Sequence, residues 1–140
     1  MTVADRLAER ARASAPPFPL AELHVHVEGT LTPAFARELA ARERVDLGDF
    51  AEGDTYRWSE FSGFLAAYDR AASLLRSEED YARLAFDYLS KLGQAGALYC
   101  ELTVSPDHAR ASGLSPASYL AALRKGAEDA RDRCGIVSRF

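Results

Sequence analysis

The feature that most constrains the fold of this chain is an alternation between strand patterns and helix patterns. Short apolar runs predict three strands, over 21–27, 97–104 and 136–140. Apolar residues at helical spacing predict the helices between them, over 33–44, 58–75, 77–92 and 115–134. The stretch 47–56 is rich in Gly and Asp and is predicted to be a loop. Strands that alternate with helices are typical of a parallel sheet with crossover connections, so the sequence predicts an α/β fold.

The first predicted strand ends in His24-Val25-His26. Side chains two residues apart on a strand point to the same face, with Cα atoms about 6.6 Å apart. Two imidazoles at that separation can converge on one metal ion. Leu23, Val25 and Val27 are then expected to point the other way, into a buried layer of helices. The alternative for each histidine is a hydrogen-bonded structural role without a metal.

Several residues mark where the predicted helices begin and end. Gly29 breaks the first strand, and Thr32 followed by Pro33 is typical of a helix N-cap. The metal-binding candidates therefore lie at the C-terminal end of a strand, where α/β folds place their active sites. Ser77 and Ser115 are predicted to cap the two later helices, and Gly135 is predicted to end the last one.

Charge and composition argue against several classes of protein. The net charge of −4 does not favour nucleic acid as a partner. No apolar run approaches the roughly 18 residues of a membrane helix, and residues 1–14 lack the apolar centre of a signal peptide. We therefore expect a cytoplasmic protein without a membrane partner. Cys100 and Cys134 lack metal-binding spacing and are expected to be reduced and structural.

The segment 22–33, with the sequence ELHVHVEGTLTP, resembles the N-terminal signature of the adenosine and adenine deaminases of the metal-dependent amidohydrolase superfamily. Segments 58–69, 98–106 and 135–140 resemble this family's helix over the pocket and its second and third barrel strands. The resemblance implies a (β/α)8 TIM barrel, which takes about 250 residues. The chain has only 140 residues and its pattern stops inside a strand. We therefore expect residues 20–140 to form an incomplete deaminase barrel of about three strands, the N-terminal part, behind an N-terminal arm over 1–19.

The same resemblance implies a metal centre and a substrate. It implies that His24 and His26 are zinc ligands, and that the other ligands and the acid–base groups come from later in the family's sequence. The chain would then carry no complete catalytic apparatus of its own. The reaction implied is hydrolytic deamination of an aminopurine, in which zinc activates the attacking water. The resemblance also implies a set of substrate-binding residues: His26, Glu28, Phe61, Phe64, Leu65 and Tyr68. The last four would form an apolar lid, or else simply pack their helix on the barrel.

Glu28 leaves the choice of aminopurine open. In adenosine deaminases the matching position is usually an aspartate that hydrogen-bonds the ribose, whereas Glu followed by Gly-Thr-Leu resembles the adenine-type branch. We expect adenosine as the substrate, with adenine as the alternative. The sequence is also compatible with a different hydrolase on the same barrel and with a non-catalytic relic of the family. Two histidines fall short of the three protein ligands usual in catalytic zinc sites, so the 140-residue chain alone is expected to be inactive.

Overall fold

A three-stranded parallel sheet organises the molecule. The computed structural model describes residues 19–140, with the backbone alone for Asp49. Its strands in chain order are β1 (Leu20–His26), β2 (Ala51–Glu52), β3 (Thr55–Tyr56), β4 (Ala97–Thr103) and β5 (Val137–Arg139). The main sheet has the order β1-β4-β5, and both of its strand pairs are parallel. The predicted α/β fold with a parallel sheet is confirmed, whereas the predicted arm over 1–19 falls almost wholly outside the described residues.

Helices connect these strands, and the periodicity predicted all of them except the short helix over Pro106–Ala111. The helices of the described residues are α1 (Pro33–Glu43), α2 (Phe61–Ala72), α3 (Glu78–Gln94), α4 (Pro106–Ala111) and α5 (Pro116–Cys134). Helix α2 is shorter than the predicted 58–75 because Glu60, its N-cap residue, has an extended backbone with φ of −154°. Within residues 19–140, none of the helices is long and apolar enough to cross a membrane.

The predicted loop over 47–56 contains regular structure, and that prediction was wrong in detail. It consists of a short 3-10 turn, Gly48–Phe50, followed by the antiparallel hairpin of β2 and β3. Gly53 provides the positive φ of 54° at the tip of this hairpin. Strands of two residues are too short to leave an alternating pattern in a sequence, which is why the hairpin was missed.

The predicted helix caps are confirmed. The Thr32 hydroxyl accepts a hydrogen bond from the Phe35 backbone N–H, and Ser115 caps α5 by accepting one from Ser118. Ser77 caps α3 through a reciprocal capping box with its third helical residue. Gly135 ends α5 in the left-handed conformation, with φ of 78°. These local signals fix where the chain enters and leaves the helices around the sheet.

Helices α3 and α5 pack against each other to form the centre of the core. A Cβ atom added at Gly126 of α5 would lie 2.0 Å from the Ala82 carbonyl oxygen of α3, so the two backbones approach as closely as a glycine permits. The buried side chains around this contact are Tyr81, Leu84, Ala85, Leu89, Tyr119, Leu123, Ala127 and Ala130. Leu120, on the same helix as Tyr119, is exposed.

The predicted burial of the apolar residues around the histidine pair was also partly wrong. Leu23 is 60% exposed and Val25 is half-buried, while Val27 is fully buried but belongs to the 3-10 turn that follows β1. Within residues 19–140, β4 is the strand that pairs with β1 in the main sheet.

Candidate active site

His24 and His26 converge at the C-terminal end of β1. Their ring centroids are 5.3 Å apart, and the ring planes are tilted by 54°. His24 has a positive φ of 60°, and the pairing of β1 with β4 shifts register between Glu22 and Val25. Strand irregularities of this kind are common beside active sites, where they re-aim a side chain. The sequence predicted that the two rings would share a face but did not predict the irregular backbone between them.

The histidine pair fits a zinc ion as two of its ligands. Both side chains are exposed, and neither forms a hydrogen bond with another described residue. Neutral imidazole nitrogens are common zinc ligands in proteins. Within residues 19–140, no group of three or more His, Cys, Asp or Glu side chains is placed to hold a metal ion. The described part of the chain therefore supplies a donor pair and not a complete metal site.

A cavity of about 660 Å³ opens beside His26. Its wall is mostly apolar and comes from the end of β1, the 3-10 turn Val27–Thr30, the segment before α2 and one side of α2 itself. The polar and aromatic side chains that line it are His26, Glu28, Thr30, Tyr56, Trp58, Phe64, Tyr68, Tyr88 and Ser105. A cleft of this size with few polar groups is typical of a small-molecule site.

One side of helix α2 forms part of the cavity wall. Phe64, Leu65 and Tyr68 line the cavity with large side chains, and the buried Ala67 and Ala71 line it as well. Three of the four proposed lid residues therefore meet at the candidate site. The fourth, Phe61, is 74% exposed and does not line the cavity, because it lies at the first residue of α2, one turn before Phe64.

Glu28 is a buried carboxylate at one side of this cavity. Only 2% of the residue is exposed, and each carboxylate oxygen accepts a hydrogen bond from a different tyrosine. The Tyr119 hydroxyl donates to Oε1 at 2.6 Å, and the Tyr68 hydroxyl donates to Oε2 at 3.4 Å. The first distance is typical of a strong, charge-assisted bond, while the second is long for any hydrogen bond between oxygens. Tyr119 is therefore the main partner of Glu28.

Both tyrosines are held in their protonated, donor form. Burial raises the pKa of the Tyr119 hydroxyl, and the hydrogen bond to Glu28 raises it further. Burial likewise raises the pKa of Tyr68, with an added contribution from the Glu28 charge. Burial also raises the pKa of Tyr56, another residue of the cavity wall, to about 12. The phenols around the cavity therefore act as hydrogen-bond donors throughout the physiological range.

His108 lies behind the cavity wall and not in it. Its Nε2 atom is 3.2 Å from an Asp69 carboxylate oxygen, and its ring meets the Tyr68 ring edge-on with centroids 5.8 Å apart. Through these contacts, α4 supports the C-terminal half of α2. The structure thus places His108 as a support for Tyr68.

The sequence did not reveal some residues of the site. Tyr119 is a buried core residue of α5, and its hydroxyl also reaches Glu28. Tyr56 and Tyr88 line the cavity without belonging to any recognised motif, and Trp58 begins the segment 58–69 but was not among the predicted substrate-binding residues. The one signal in the sequence that could have indicated a polar role for Tyr119 was its hydroxyl group, because a tyrosine on a buried helix face usually has a hydrogen-bond partner.

Comparison with known proteins identifies the family. Residues 19–140 match the protein family described as adenosine deaminase. Similar curated proteins include an adenine deaminase from Chelativorans sp. (strain BNC1), which is 47% identical over 120 residues, and one from Agrobacterium fabrum, which is 39% identical over 120 residues. Each of these matches covers 86% of this chain but 37% of the relative. The chain thus spans little more than a third of the length of these relatives.

Solved structures show the same fold. The adenine deaminase from Arthrobacter aurescens superposes with a TM-score of 0.73 at 24% identity, over 86% of this chain and 38% of that one. An amidohydrolase from Burkholderia ambifaria, crystallised with bound zinc, gives a TM-score of 0.68 at 23% identity, over 99% of this chain and 37% of that one. The predicted fold, the N-terminal part of a (β/α)8 barrel, is thereby confirmed. With its match over residues 19–140, the chain belongs to the adenosine deaminase family.

Proposed function

We propose that this chain contributes the histidine pair and one wall of the pocket to a zinc-dependent enzyme that deaminates an aminopurine by hydrolysis. The observation that carries the proposal is the position of His26, which belongs both to the converging histidine pair and to the wall of an aromatic cavity. A metal-binding pair at the mouth of a pocket is the arrangement that metal-assisted hydrolysis requires.

His24 and His26 would hold the zinc ion, together with ligands that the described residues do not supply. Zinc bound there would supply Lewis acidity, which makes water a nucleophile near neutral pH. Zinc in the Burkholderia ambifaria amidohydrolase structure supports the choice of metal. The contribution of this chain is to fix the direction from which the two imidazoles approach the metal.

The cavity wall would bind the purine ring. Trp58, Phe64 and Tyr68 present aromatic surface to the cavity, and Leu65 adds an aliphatic surface. Aromatic side chains favour a flat, polarizable ring through stacking and edge contacts. Their second role would be to exclude bulk water, which strengthens polar interactions inside the site.

We propose adenine as the substrate, in preference to the adenosine expected from the sequence. Oε1 of Glu28 is committed to Tyr119 and Oε2 is only weakly bound by Tyr68, so one acceptor oxygen remains for a ligand, fewer than the hydroxyl groups of a ribose would use. The relatives of 39–47% identity carry the name adenine deaminase, which supports the same choice. Adenine has an N–H group at the ring nitrogen where adenosine carries its sugar, so the free base needs only one hydrogen-bond acceptor from this carboxylate.

The complete product of the natural gene, with its intact mass measured, is the material for the test. We expect it to retain zinc after dialysis and to release ammonia from adenine with a higher kcat/KM than from adenosine. Replacing His24 or His26 by Asn should abolish both zinc retention and ammonia release. The matched control is His108→Asn, which should retain zinc because His108 is hydrogen-bonded to Asp69 outside the cavity.

Two results would contradict the proposal at different levels. A folded, zinc-loaded product that releases ammonia from neither adenine nor adenosine would overturn the deaminase function and favour a non-catalytic relic. A product with equal or higher kcat/KM for adenosine would overturn only the preference for adenine.

A further inference from the structure

We propose that Tyr119 is a specificity-determining positioning residue, which holds the Glu28 carboxylate in an orientation that favours a free aminopurine base over its nucleoside. This inference rests on the proposed function and assigns part of its selectivity to one hydroxyl group. Tyr119 does not line the cavity, whereas Glu28 does. Tyr119 would therefore act on the substrate only through Glu28.

The position of the Tyr119 hydroxyl is fixed from several directions. The side chain is fully buried, and its ring packs edge-on against Tyr81 with centroids 4.9 Å apart. The hydroxyl oxygen accepts a hydrogen bond from the Ser105 backbone N–H at 3.2 Å while its proton goes to Glu28. The helix that carries Tyr119 begins one turn earlier, at the Ser115 cap. A donor held in this way fixes the oxygen that it binds.

The two hydrogen bonds of Glu28 leave its oxygens unequally available. Oε1 is 2.6 Å from the Tyr119 hydroxyl, a distance at which the bond is strong and the oxygen is committed to the protein. Oε2 is 3.4 Å from the Tyr68 hydroxyl, so this bond is weak and the oxygen has capacity for a second donor. Oε2 is therefore available to accept a hydrogen bond from a ligand, whereas Oε1 is not.

A free aminopurine base and its nucleoside present different numbers of hydrogen-bond donors to this carboxylate. The ring N–H of the base is a single donor, which one oxygen can satisfy. A ribose carries several hydroxyl groups and adds bulk at the same ring nitrogen. A carboxylate that could turn freely would offer both oxygens to those hydroxyls, and the Tyr119 bond prevents that turn. Loss of the Tyr119–Glu28 hydrogen bond should therefore increase the binding of the nucleoside relative to that of the base.

The test uses Tyr119→Phe in the complete product of the natural gene, assayed with adenine and with adenosine. The substitution removes one hydroxyl and keeps the ring. We expect the ratio of kcat/KM for adenine to kcat/KM for adenosine to fall about tenfold, the scale of one hydrogen bond to a charged group. The change should appear in KM and in the equilibrium Kd of each ligand, with kcat for adenine nearly unchanged.

The matched control is Tyr81→Phe. Tyr81 is equally buried and contacts the same ring, but its hydroxyl has no hydrogen-bond partner among the described residues. We expect this variant to leave the ratio unchanged. A general loosening of the core would alter both variants alike, so a difference between them isolates the Tyr119 hydroxyl.

A second variant keeps the proposal open to refutation if Tyr119→Phe fails to fold. Glu28→Asp retains the charge but draws the carboxylate back by about 1.5 Å, out of reach of Tyr119. It should lower the same ratio, and a folded, active Glu28→Asp variant with an unchanged ratio would overturn the inference. Where Tyr119→Phe does fold, adding it to Glu28→Asp should produce little further change, because both substitutions break one interaction.

Each outcome has a distinct meaning. A folded, active Tyr119→Phe variant with an unchanged ratio would overturn the inference and leave the proposed function intact. Additive effects of the two substitutions would overturn it as well, because they would show that Tyr119 does not act through Glu28. A wild-type product inactive on both ligands would overturn the proposed function and this inference with it.

Discussion

Arg42 and Asp80 form a two-point ion pair that joins α1 to the start of α3. The Arg42 Nη1 and Nη2 atoms donate to Asp80 Oδ1 and Oδ2 at 2.7 and 2.8 Å. Oδ2 also accepts from the backbone N–H groups of Arg76 and Ser77, both at 3.0 Å. A buried aspartate thus caps the start of α3 and anchors α1 to it.

Replacing Asp80 by Ala should markedly destabilise the protein. The change removes four hydrogen bonds accepted by an ionised carboxylate and leaves two backbone N–H groups without their partner. Arg42 is half exposed and can be hydrated, so the loss comes mainly from the unpaired backbone groups, and we expect the free energy of unfolding to fall by about 2 kcal/mol. Urea denaturation of the natural gene product measures this change.

The control for that prediction is Asp129→Ala, which removes an exposed pair with Lys125 one turn away on α5. An exposed pair of this kind should contribute less than about 0.5 kcal/mol. Equal losses from the two variants would contradict the role assigned to Asp80.

The same aspartate should make stability depend on pH in the acidic range. Burial alone would raise the pKa of Asp80, but hydrogen bonds from Arg42 and from the backbone of Arg76, among others, lower it below the ordinary value of 3.8. A carboxylate whose pKa is lower in the folded state stabilises the fold above its unfolded pKa, and this contribution is lost as the pH falls through the folded pKa. We expect Tm to drop below about pH 4 more steeply for wild type than for Asp80→Asn. Parallel melting curves of the two proteins would contradict this assignment.

Features that depend on neighbouring residues could be predicted from the sequence. The caps at Thr32, Ser77 and Ser115 each involve groups three residues apart, so a short pattern contains the whole interaction. Regular strand geometry also predicted a shared face for His24 and His26, but the backbone at which their rings converge is irregular, with a left-handed His24.

Features that join distant segments could not be predicted in this way. The Tyr119 hydroxyl and Glu28 are separated by 91 residues, and nothing in either neighbourhood indicates that they meet. The exposure of Leu23 depends on where β1 lies in the sheet, which its own alternating pattern does not contain. The resemblance to a family identified the motif residues of the site, and the tertiary structure added the tyrosines that surround them.

The left-handed backbone of His24 should make a glycine substitution at this position more stable than an alanine substitution, the reverse of the usual order in a strand. Glycine in a strand is ordinarily less favourable than alanine, but at a φ of 60° a residue with a Cβ atom is strained by about 1–2 kcal/mol. We therefore expect His24→Gly to unfold at a higher urea concentration than His24→Ala, by about 1 kcal/mol of unfolding free energy. Both variants should lose zinc. A less stable glycine variant would show that His24 does not hold this conformation in solution.

The close approach of α3 and α5 should make Gly126 one of the least replaceable residues of the core. A Cβ atom there would lie 2.0 Å from the Ala82 carbonyl oxygen, which is backbone and cannot turn away. We expect Gly126→Ala to separate the helices and to lower the free energy of unfolding by about 3 kcal/mol or more. The control is Gly63→Ala in α2, where the nearest atom would be 3.6 Å away and alanine should stabilise the helix by up to about 1 kcal/mol. Opposite shifts of the two denaturation midpoints are the expected result. A Gly126→Ala protein as stable as wild type would contradict the packing of α3 on α5.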